Sequence, residues 1–180
     1  MTIRVEIKAR GLGETPEAEA ATIADWRREL FAEDRAIIDA FTWQNKDGMG
    51  FGIHAYSGDQ FIGFAHVFAR LGLRDDAPVL MGCLGSVMTA RGHQGMGVAT
   101  ATVTAAGDII MNSLKTDLGV LVCKESLLPF YERLGWRRMT NTVVVEQPDG
   151  KKQWPYEAML LLPENQASLP DKLDLCGFPF

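Results

Sequence analysis

Residues 79–113, VLMGCLGSVMTARGHQGMGVATATVTAAGDIIMNS, contain three patterns in direct succession. Val79 to Met88 is a long and mostly apolar run, which predicts a central strand. Arg91 to Gly97 follows immediately and is rich in glycine. From Val98 to Ser113 apolar residues recur every three or four positions, which is typical of an amphipathic helix. The stretch therefore predicts a strand, a glycine loop and a helix.

The glycine loop, residues 92–97 (GHQGMG), is suited to bind a phosphate group. Glycines at positions 92, 95 and 97 remove side chains from the first turn of the helix, where backbone N–H groups have no intrahelical acceptor. The helix dipole adds partial positive charge there, so a pyrophosphate is the expected ligand. The alternative is a tight strand-to-helix connection that binds nothing.

Two other phosphate-binding motifs do not match this loop. A nucleoside-triphosphate loop needs Lys and then Ser or Thr after its last glycine, but Val98 and Ala99 stand there. A dinucleotide fingerprint read from Gly95 would need Gly or Ala where the chain has Thr100, and no acidic residue ends a strand about twenty residues later.

Shorter patterns surround this stretch on both sides. The other predicted strands, bounded by turn residues, are 3–7, 51–56, 60–68, 120–123, 136–139, 143–145 and 157–162. One helix, or two meeting near Glu33-Asp34, is predicted from Thr15-Pro16 to Ile38, and another from Ser126 to Leu134 before Gly135. Turns are predicted at residues 57–59, and at residues 148–150 between the last two strands. This order predicts one α/β domain over residues 1–180, with a mixed sheet and an irregular tail from 163 to 180.

Composition and charge exclude several classes of protein. The chain is 47% hydrophobic and 23% charged and has a net charge of -5, so a basic nucleic-acid surface is not expected. No apolar run is long enough to cross a bilayer, so no membrane partner is expected. Cys83, Cys123 and Cys176 have neither metal nor redox spacing, which indicates free thiols, no metal site and a cytoplasmic location.

A second motif, LPFYERLGW over residues 128–136, places Tyr131 four residues before Gly135 at the end of a predicted helix. The loop and this motif together resemble the GNAT acetyltransferase superfamily. In that family the loop has the form Arg/Gln-x-x-Gly-x-Gly/Ala, and a later helix ends in Tyr-x-x-x-Gly-Phe/Trp. The chain departs at the first loop position, where Gly92 stands and Arg91 comes one place early. Taken alone, Tyr131 is better explained as an aromatic residue that packs the end of a helix, and the upstream loop is what favours a functional role.

This resemblance implies an acetyl-CoA-dependent N-acetyltransferase with the GNAT fold, which transfers acetyl directly to a small amine in a ternary complex. Tyr131 would then protonate the departing thiolate. Backbone groups of the central strand would bind the pantetheine arm and polarise the thioester carbonyl, with Gly85 marking a bulge that opens the slot. The implied CoA-binding residues are Ser86, Val87, Met88, Gly92, His93, Gln94, Gly95, Met96, Gly97 and Val98.

Within the superfamily the chain looks closest to the aminoglycoside 2′-N-acetyltransferases and the nodulation acyltransferases. The matching stretches are residues 62–67 with Arg70, residues 82–87, the 130–136 ending and the aromatic tail at 177–180. This implies an aminoglycoside antibiotic as a possible acceptor, with a role in antibiotic resistance. Five acidic residues would then bind a polycation, or they form a solvated face: Glu29, Glu33, Asp34, Asp75 and Asp76.

The general base is the main departure from the aminoglycoside enzymes, which carry a carboxylate on the strand before the loop. Cys83 stands at that place, and no Asp or Glu occurs from Ala77 to Arg91. An ammonium substrate must lose a proton before it attacks, so another group is needed. His66 is the first candidate because imidazole titrates near neutrality. The alternatives are His54, the carboxylate of Phe180, and a water relay from Cys83 or Ser86.

Other functions remain open at this point. A non-catalytic CoA-binding or regulatory module fits the missing carboxylate, and a peptide or polyamine is an alternative acceptor. A cysteine hydrolase using Cys83 or Cys123 is disfavoured, because neither cysteine begins a helix after a turn. A homodimer is possible.

Overall fold

The computed structural model describes residues 3–30, 32, 39–43, 50–166 and 168–180. Within these residues, helices flank one mixed sheet, which confirms the predicted α/β class. The strands β1 to β10 are Glu6–Gly11, Phe51–Ser57, Gln60–Arg74, Ala77–Thr89, Leu118–Cys123, Arg137–Arg138, Thr142–Gln147, Gly150–Gln153, Glu157–Leu161 and Lys172–Asp174. The helices are α1, Glu17–Leu30, α2, Val98–Asp108, and α3, Leu128–Glu132. A π-helical turn, Ile109–Ser113, extends α2 over the predicted length.

The sheet runs in the order β6-β9-β5-β4-β3-β10-β7-β8. Strand β3, with 15 residues, is long enough to pair with β2 along its first part and with β10 at its end. Strand β1 pairs with the outer edge of β2. The β4–β5 and β10–β7 pairs are parallel and the others are antiparallel. Strands from both ends of the chain therefore belong to the same sheet.

The helices cover opposite faces of the sheet. A Cβ atom at Gly63 of β3 would lie 2.5 Å from Val98 Cγ1, so α2 packs directly on this face. The next residue, Phe64, points to the other face and packs there with Ile23 of α1 and Met88 of β4. We call these the α2 face and the α1 face. Side chains along β3 can therefore be assigned to a face by their alternation.

The central strands β4 and β5 separate towards their carboxyl ends. They pair only between residues 81–84 and 118–121, although β4 continues to Thr89. Opposite β3 the register shifts, because Phe64 pairs with Met88 whereas His66 pairs with Gly85. Strand β4 thus contains one extra residue, and the predicted bulge after Gly85 is confirmed. Beyond Leu84 this edge of β4 has no strand partner among the described residues.

Three sequence expectations about strands are wrong. The turn at residues 148–150 joins β7 to β8, not to β9, and β8 was missed because it is a short, lysine-rich edge strand. The tail contains β10, which fills the place between β3 and β7 with Leu173 fully buried. The first strand begins at Glu6, not Ile3, because its register follows β2. The helical pattern through Glu33-Asp34 to Ile38 lies outside the described residues.

Candidate active site

The glycine loop forms an open N terminus for α2. Gly97 is the N-cap residue with φ 85°, and Gly95 has φ 73°, so both occupy the left-handed region that favours glycine. Among the described residues no side chain caps this helix. Cβ atoms added at Gly92, Gly95 or Gly97 would meet no atom within 4 Å. Packing therefore does not explain why these positions are glycine. The absence of side chains leaves the first-turn N–H groups accessible, which fits a diphosphate.

The other loop residues frame this N terminus. Gln94 is exposed, and His93 and Met96 are half-buried. Val98 is buried against Gly63 and anchors the helix to the sheet. The Arg91 side chain lies 3.3 Å from the Glu29 carboxylate of α1. The arginine that stands one place earlier than the family motif has it therefore contacts α1.

A pocket of about 320 Å³ lies between α1 and the end of β4. Its lining residues are Thr22, Asp25, Trp26, Glu29, Leu30, Thr89 and Arg91. The indole of Trp26 is fixed by stacking on Phe61, with ring centroids 5.0 Å apart. The pocket thus adjoins the start of the glycine loop on the α1 face.

The predicted pantetheine-binding stretch occupies the bulge. Ser86 has φ 53°, a left-handed conformation that is strained for a residue other than glycine. Its hydroxyl accepts a 3.4 Å hydrogen bond from Arg27 of α1. Val87 packs on the α2 face, whereas Met88 packs with α1. The stretch therefore lies between both layers of helices, at the point where β4 leaves β5.

The Tyr-x-x-x-Gly-Trp motif is a Schellman cap. Trp136 N–H donates to the Tyr131 carbonyl at 3.2 Å and Gly135 N–H donates to the Glu132 carbonyl at 3.0 Å. Gly135 has φ 86°, as the cap requires. The rings of Tyr131 and Trp136 are 6.4 Å apart and supply the apolar contact that accompanies such caps. The spacing of the motif thus has a local structural cause that fixes the backbone of Tyr131.

Tyr131 keeps its phenolic proton at neutral pH. Burial raises the pKa of the Tyr131 phenol, and the neighbouring Cys123 raises it further. Burial also raises the pKa of Cys123 to about 12, with a smaller effect of Glu157. A protonated phenol can donate to a thiolate, whereas a protonated Cys123 is a poor nucleophile. Cys83 is fully buried in the core, so neither cysteine fits the hydrolase hypothesis.

His66 is buried on the α1 face. It pairs with Gly85 immediately before the bulge, and its ring stacks on Phe68 with centroids 5.3 Å apart. Tyr131 instead packs in the cluster beneath α2 and α3. The structure therefore places the two predicted catalytic side chains on opposite faces of the sheet.

Two of the alternative bases have defined surroundings. His54 is fully buried, and its Nδ1 lies 2.6 Å from the Glu19 carboxylate. The Phe180 ring contacts Phe68 at 5.4 Å, while Arg70 donates a 2.8 Å hydrogen bond to the Phe178 carbonyl. Arg70 and the aromatic tail, both part of the sequence resemblance, therefore pack together.

The acidic residues expected on the acceptor side do not form one group. Asp75 and Asp76 lie in the β3–β4 turn and interact with Lys172, so the whole length of β4 separates them from the glycine loop. This position favours the alternative interpretation of Asp75 and Asp76, that of a solvated face. Glu29 lines the pocket beside the loop. Glu33 and Asp34 lie outside the described residues.

Sequence reasoning missed the partners of His54. The Glu19 carboxylate accepts hydrogen bonds from His54 and from the Tyr56 hydroxyl at 2.6 and 2.7 Å. A signal was present, because Glu19 precedes Ile23 by four residues and so lies on the helix face that packs on the sheet. A carboxylate on an inward helix face needs a buried partner.

Comparison with known proteins identifies the family. The sequence matches the model of the acetyltransferase (GNAT) family over residues 18–136, which is more than half of the chain. The chain therefore belongs to the GNAT family. Members of this family are N-acetyltransferases, and the fold binds acetyl-CoA or CoA as a co-substrate. No curated protein matched the sequence.

Solved structures show the same fold at low sequence identity. ElaA from Escherichia coli is 16% identical with a TM-score of 0.59, over 87% of this chain and 99% of that one. A putative N-acetyltransferase from Lactobacillus plantarum is 19% identical with a TM-score of 0.58, over 88% and 99%. YhbS from E. coli, a GNAT family N-acetyltransferase solved in complex with CoA, is 15% identical with a TM-score of 0.59, over 98% and 92%. The finer resemblance to aminoglycoside and nodulation enzymes is not confirmed and stays a prediction.

Among the described residues, none of the helices combines the length and apolar character needed to cross a bilayer.

Proposed function

We propose that this chain is an N-acetyltransferase that moves acetyl from acetyl-CoA to a small amine by direct transfer in a ternary complex. One observation carries the proposal. The open, glycine-rich N terminus of α2 lies directly after the strand that separates from β5 at a bulge. A diphosphate held at the loop would allow the attached arm to extend along β4 towards the opening. We also infer that residues 1–180 act as one domain, because β1 and β10 belong to the same sheet.

Each part of the site has a separate task. Backbone N–H groups around Gly95, Gly97 and Val98 bind the diphosphate. The backbone of residues 86–88 binds the pantetheine arm and offers a donor to the carbonyl oxygen. Acetyl-CoA supplies an electrophilic thioester carbonyl when it is bound. The strained bulge at Ser86 holds the donor in place before the substrate arrives.

Two protons must move, and the two faces of the sheet separate their routes. On the α1 face, His66 lies beside the bulge and accepts the proton that the acceptor ammonium must lose. On the α2 face, the Tyr131 phenol is protonated at neutral pH, since its ordinary pKa is about 10 and burial raises this pKa further, and it donates this proton to the thiolate.

The acceptor enters on the α1 face. The pocket between α1 and β4 is lined by the carboxylates of Asp25 and Glu29 and by Trp26. Asp25 pairs with Arg28 and Glu29 pairs with Arg91, so a cationic amine would take the place of these arginines. An aminoglycoside is one acceptor of this kind, and a polyamine or a peptide amine is another. A screen of these amines as substrates distinguishes among them.

Replacement of Tyr131 by phenylalanine tests the assignment. Thiol release from acetyl-CoA should be measured with a panel of aminoglycosides, polyamines and small primary amines. We expect Tyr131→Phe to lower kcat by about 100-fold, as for loss of a general acid, with little change in CoA affinity by calorimetry. Tyr156→Phe is the matched control, because Tyr156 is an exposed tyrosine in the β8–β9 connection. An unchanged rate in Tyr131→Phe would remove the assigned role.

A non-catalytic CoA-binding module is the second candidate. Cys83 favours it, because a buried thiol occupies the place where the aminoglycoside enzymes carry a carboxylate. Binding of CoA without thiol release for every amine in the panel would support this candidate.

A further inference from the structure

A buried polar network on the α1 face is not used by the function proposed above. Its centre is Glu19 of α1, whose carboxylate bridges His54 and Tyr56 of β2. Arg10 of β1 donates a 3.1 Å hydrogen bond to the Tyr56 hydroxyl. His54 is fully buried, and burying such groups is unfavourable unless they are paired. The network therefore requires an explanation beyond exposed surface charge.

The network fixes the tautomer of His54. An ionised carboxylate can only accept hydrogen bonds, so the 2.6 Å contact with Glu19 places the proton on His54 Nδ1. The lone pair is then on Nε2, a buried atom that has no hydrogen-bond partner among the described residues. Burial lowers the pKa of His54, against an opposing effect of Glu19, so the ring is neutral and the lone pair available at neutral pH.

The Nε2 atom of His54 lies near the strand position that pairs with His66. A Cβ atom built at Gly52 would lie 2.6 Å from His54 Nε2, so the imidazole extends over this glycine. Gly52 is directly opposite His66 in the β2–β3 pair. Opposite positions in such pairs have Cβ atoms about 5 Å apart, so Nε2 lies within roughly 8 Å of the base of the His66 side chain. One water molecule can hydrogen-bond both rings across this distance.

We propose that Glu19 and His54 are positioning residues for His66 in the acetyl transfer. The carboxylate holds His54 with its Nε2 lone pair towards His66, and a bridging water orients the imidazole that takes the proton of the acceptor. This inference rests on the proposed function. His66 takes the part of the base that a carboxylate on β4 plays in the aminoglycoside enzymes, and the proposal gives this base two supporting residues on α1 and β2.

The proton and bond balance is complete without another reactant. The acceptor ammonium gives one proton to His66, and its nitrogen forms the amide bond as the carbon–sulfur bond breaks. His66 passes this first proton to solvent water and takes the second nitrogen proton as the amide forms. The thiolate takes a proton from Tyr131, and the tyrosinate is reprotonated from solvent water, so that one proton is released overall. On the described elements that pack around the two histidines, the charged and titratable groups are Glu19, Arg27, Lys8, Arg10, Tyr56, Arg70 and Cys83.

The pH dependence of kcat/KM separates positioning from a structural role. We expect His54→Gln and Glu19→Gln to lose about 100-fold in kcat/KM near pH 7, where the amine is charged. The loss should shrink to a few-fold above about pH 9.5, because a simple amine loses its own proton near pH 10. Tyr56→Phe is the matched control: it also removes one hydrogen bond from Glu19 but leaves the His54 contact intact. Equal loss at every pH, or the same profile in Tyr56→Phe, would overturn the proposal.

Nitrogen-15 NMR of labelled histidine gives a readout without turnover. The chain has 3 histidines, so single His→Gln variants assign every signal. We expect His54 to carry its proton on Nδ1, Glu19→Gln to change this tautomer, and His54→Gln to shift the His66 signals while Tyr56→Phe does not. Unmoved His66 signals in a folded His54→Gln protein would overturn the proposal even if transfer occurs. Absence of thiol release with these couplings present would instead contradict the proposed function.

Discussion

Replacement of Gly97 by alanine measures what the glycine loop contributes to CoA binding. Gly97 has φ 85°, where an L-residue costs about 1–2 kcal/mol. A methyl group there would meet no atom within 4 Å, so no packing cost is added. For a chain of this length, each kcal/mol lowers Tm by about 2–4 °C. We therefore expect Gly97→Ala to lower Tm by about 2–8 °C.

The effect on binding should exceed this strain. The added methyl projects from the N-cap, where the diphosphate is expected to approach the first-turn N–H groups. A hydrogen bond to a charged group contributes about 1.5–3 kcal/mol, so loss of one raises the Kd for CoA by about 10- to 100-fold. Isothermal titration calorimetry with CoA measures this change directly, and differential scanning fluorimetry measures Tm.

Gly150→Ala is the control for strain. Gly150 also has positive φ, 115°, and a Cβ there also meets no atom within 4 Å, but it begins β8 directly after the β7–β8 turn, far along the sheet from β4. We expect a comparable or larger fall in Tm and unchanged CoA affinity. If Gly97→Ala lowers Tm but binds CoA as the unaltered chain does, the loop amides do not hold the diphosphate.

Two further predictions concern stability. Deletion of residues 170–180 should prevent folding, because burial of Leu173, Leu175 and Phe180 contributes about 1.5–3 kcal/mol each, together a large part of a typical domain's stability; circular dichroism and a proton–nitrogen correlation spectrum check this. The free energy of unfolding should fall as the pH drops below about 6.5, because the folded-state pKa of His54 is below that ordinary value and the unfolded chain binds the proton first. Urea titrations near pH 7.5 and 5.5 should show a smaller fall in His54→Gln, and an equal fall would refute this reasoning.

The parts of the fold that could be predicted are those set by local sequence. The strand–loop–helix succession from Val79 to Ser113 follows from apolar periodicity and glycine placement, and the structure confirms it. The cap at Gly135 is equally local, because only glycine adopts its conformation without strain. The catalytic role of Tyr131 and the diphosphate role of the loop stay predictions supported by this geometry.

The parts that could not be predicted depend on contacts between distant segments. Strand β10 has three residues and is a strand because its backbone pairs with β3 on one side and with β7 on the other. Strand β8 has no apolar alternation to reveal it. The pairing of Glu19 with His54 spans 35 residues and depends on how α1 packs on the sheet. No periodicity within one segment contains such information.

The opening between β4 and β5 has its origin in a mismatch of one residue. From Phe64 to His66 β3 advances two positions, whereas β4 advances three between Gly85 and Met88. The extra residue, Ser86, adopts a left-handed conformation that costs about 1–3 kcal/mol. Pairing with β5 ends at Leu84, so the bulge coincides with the end of the ladder. A regular strand would use its backbone donors inside the sheet. The number of residues in this stretch, more than their identity, therefore leaves donors available for a thioester carbonyl.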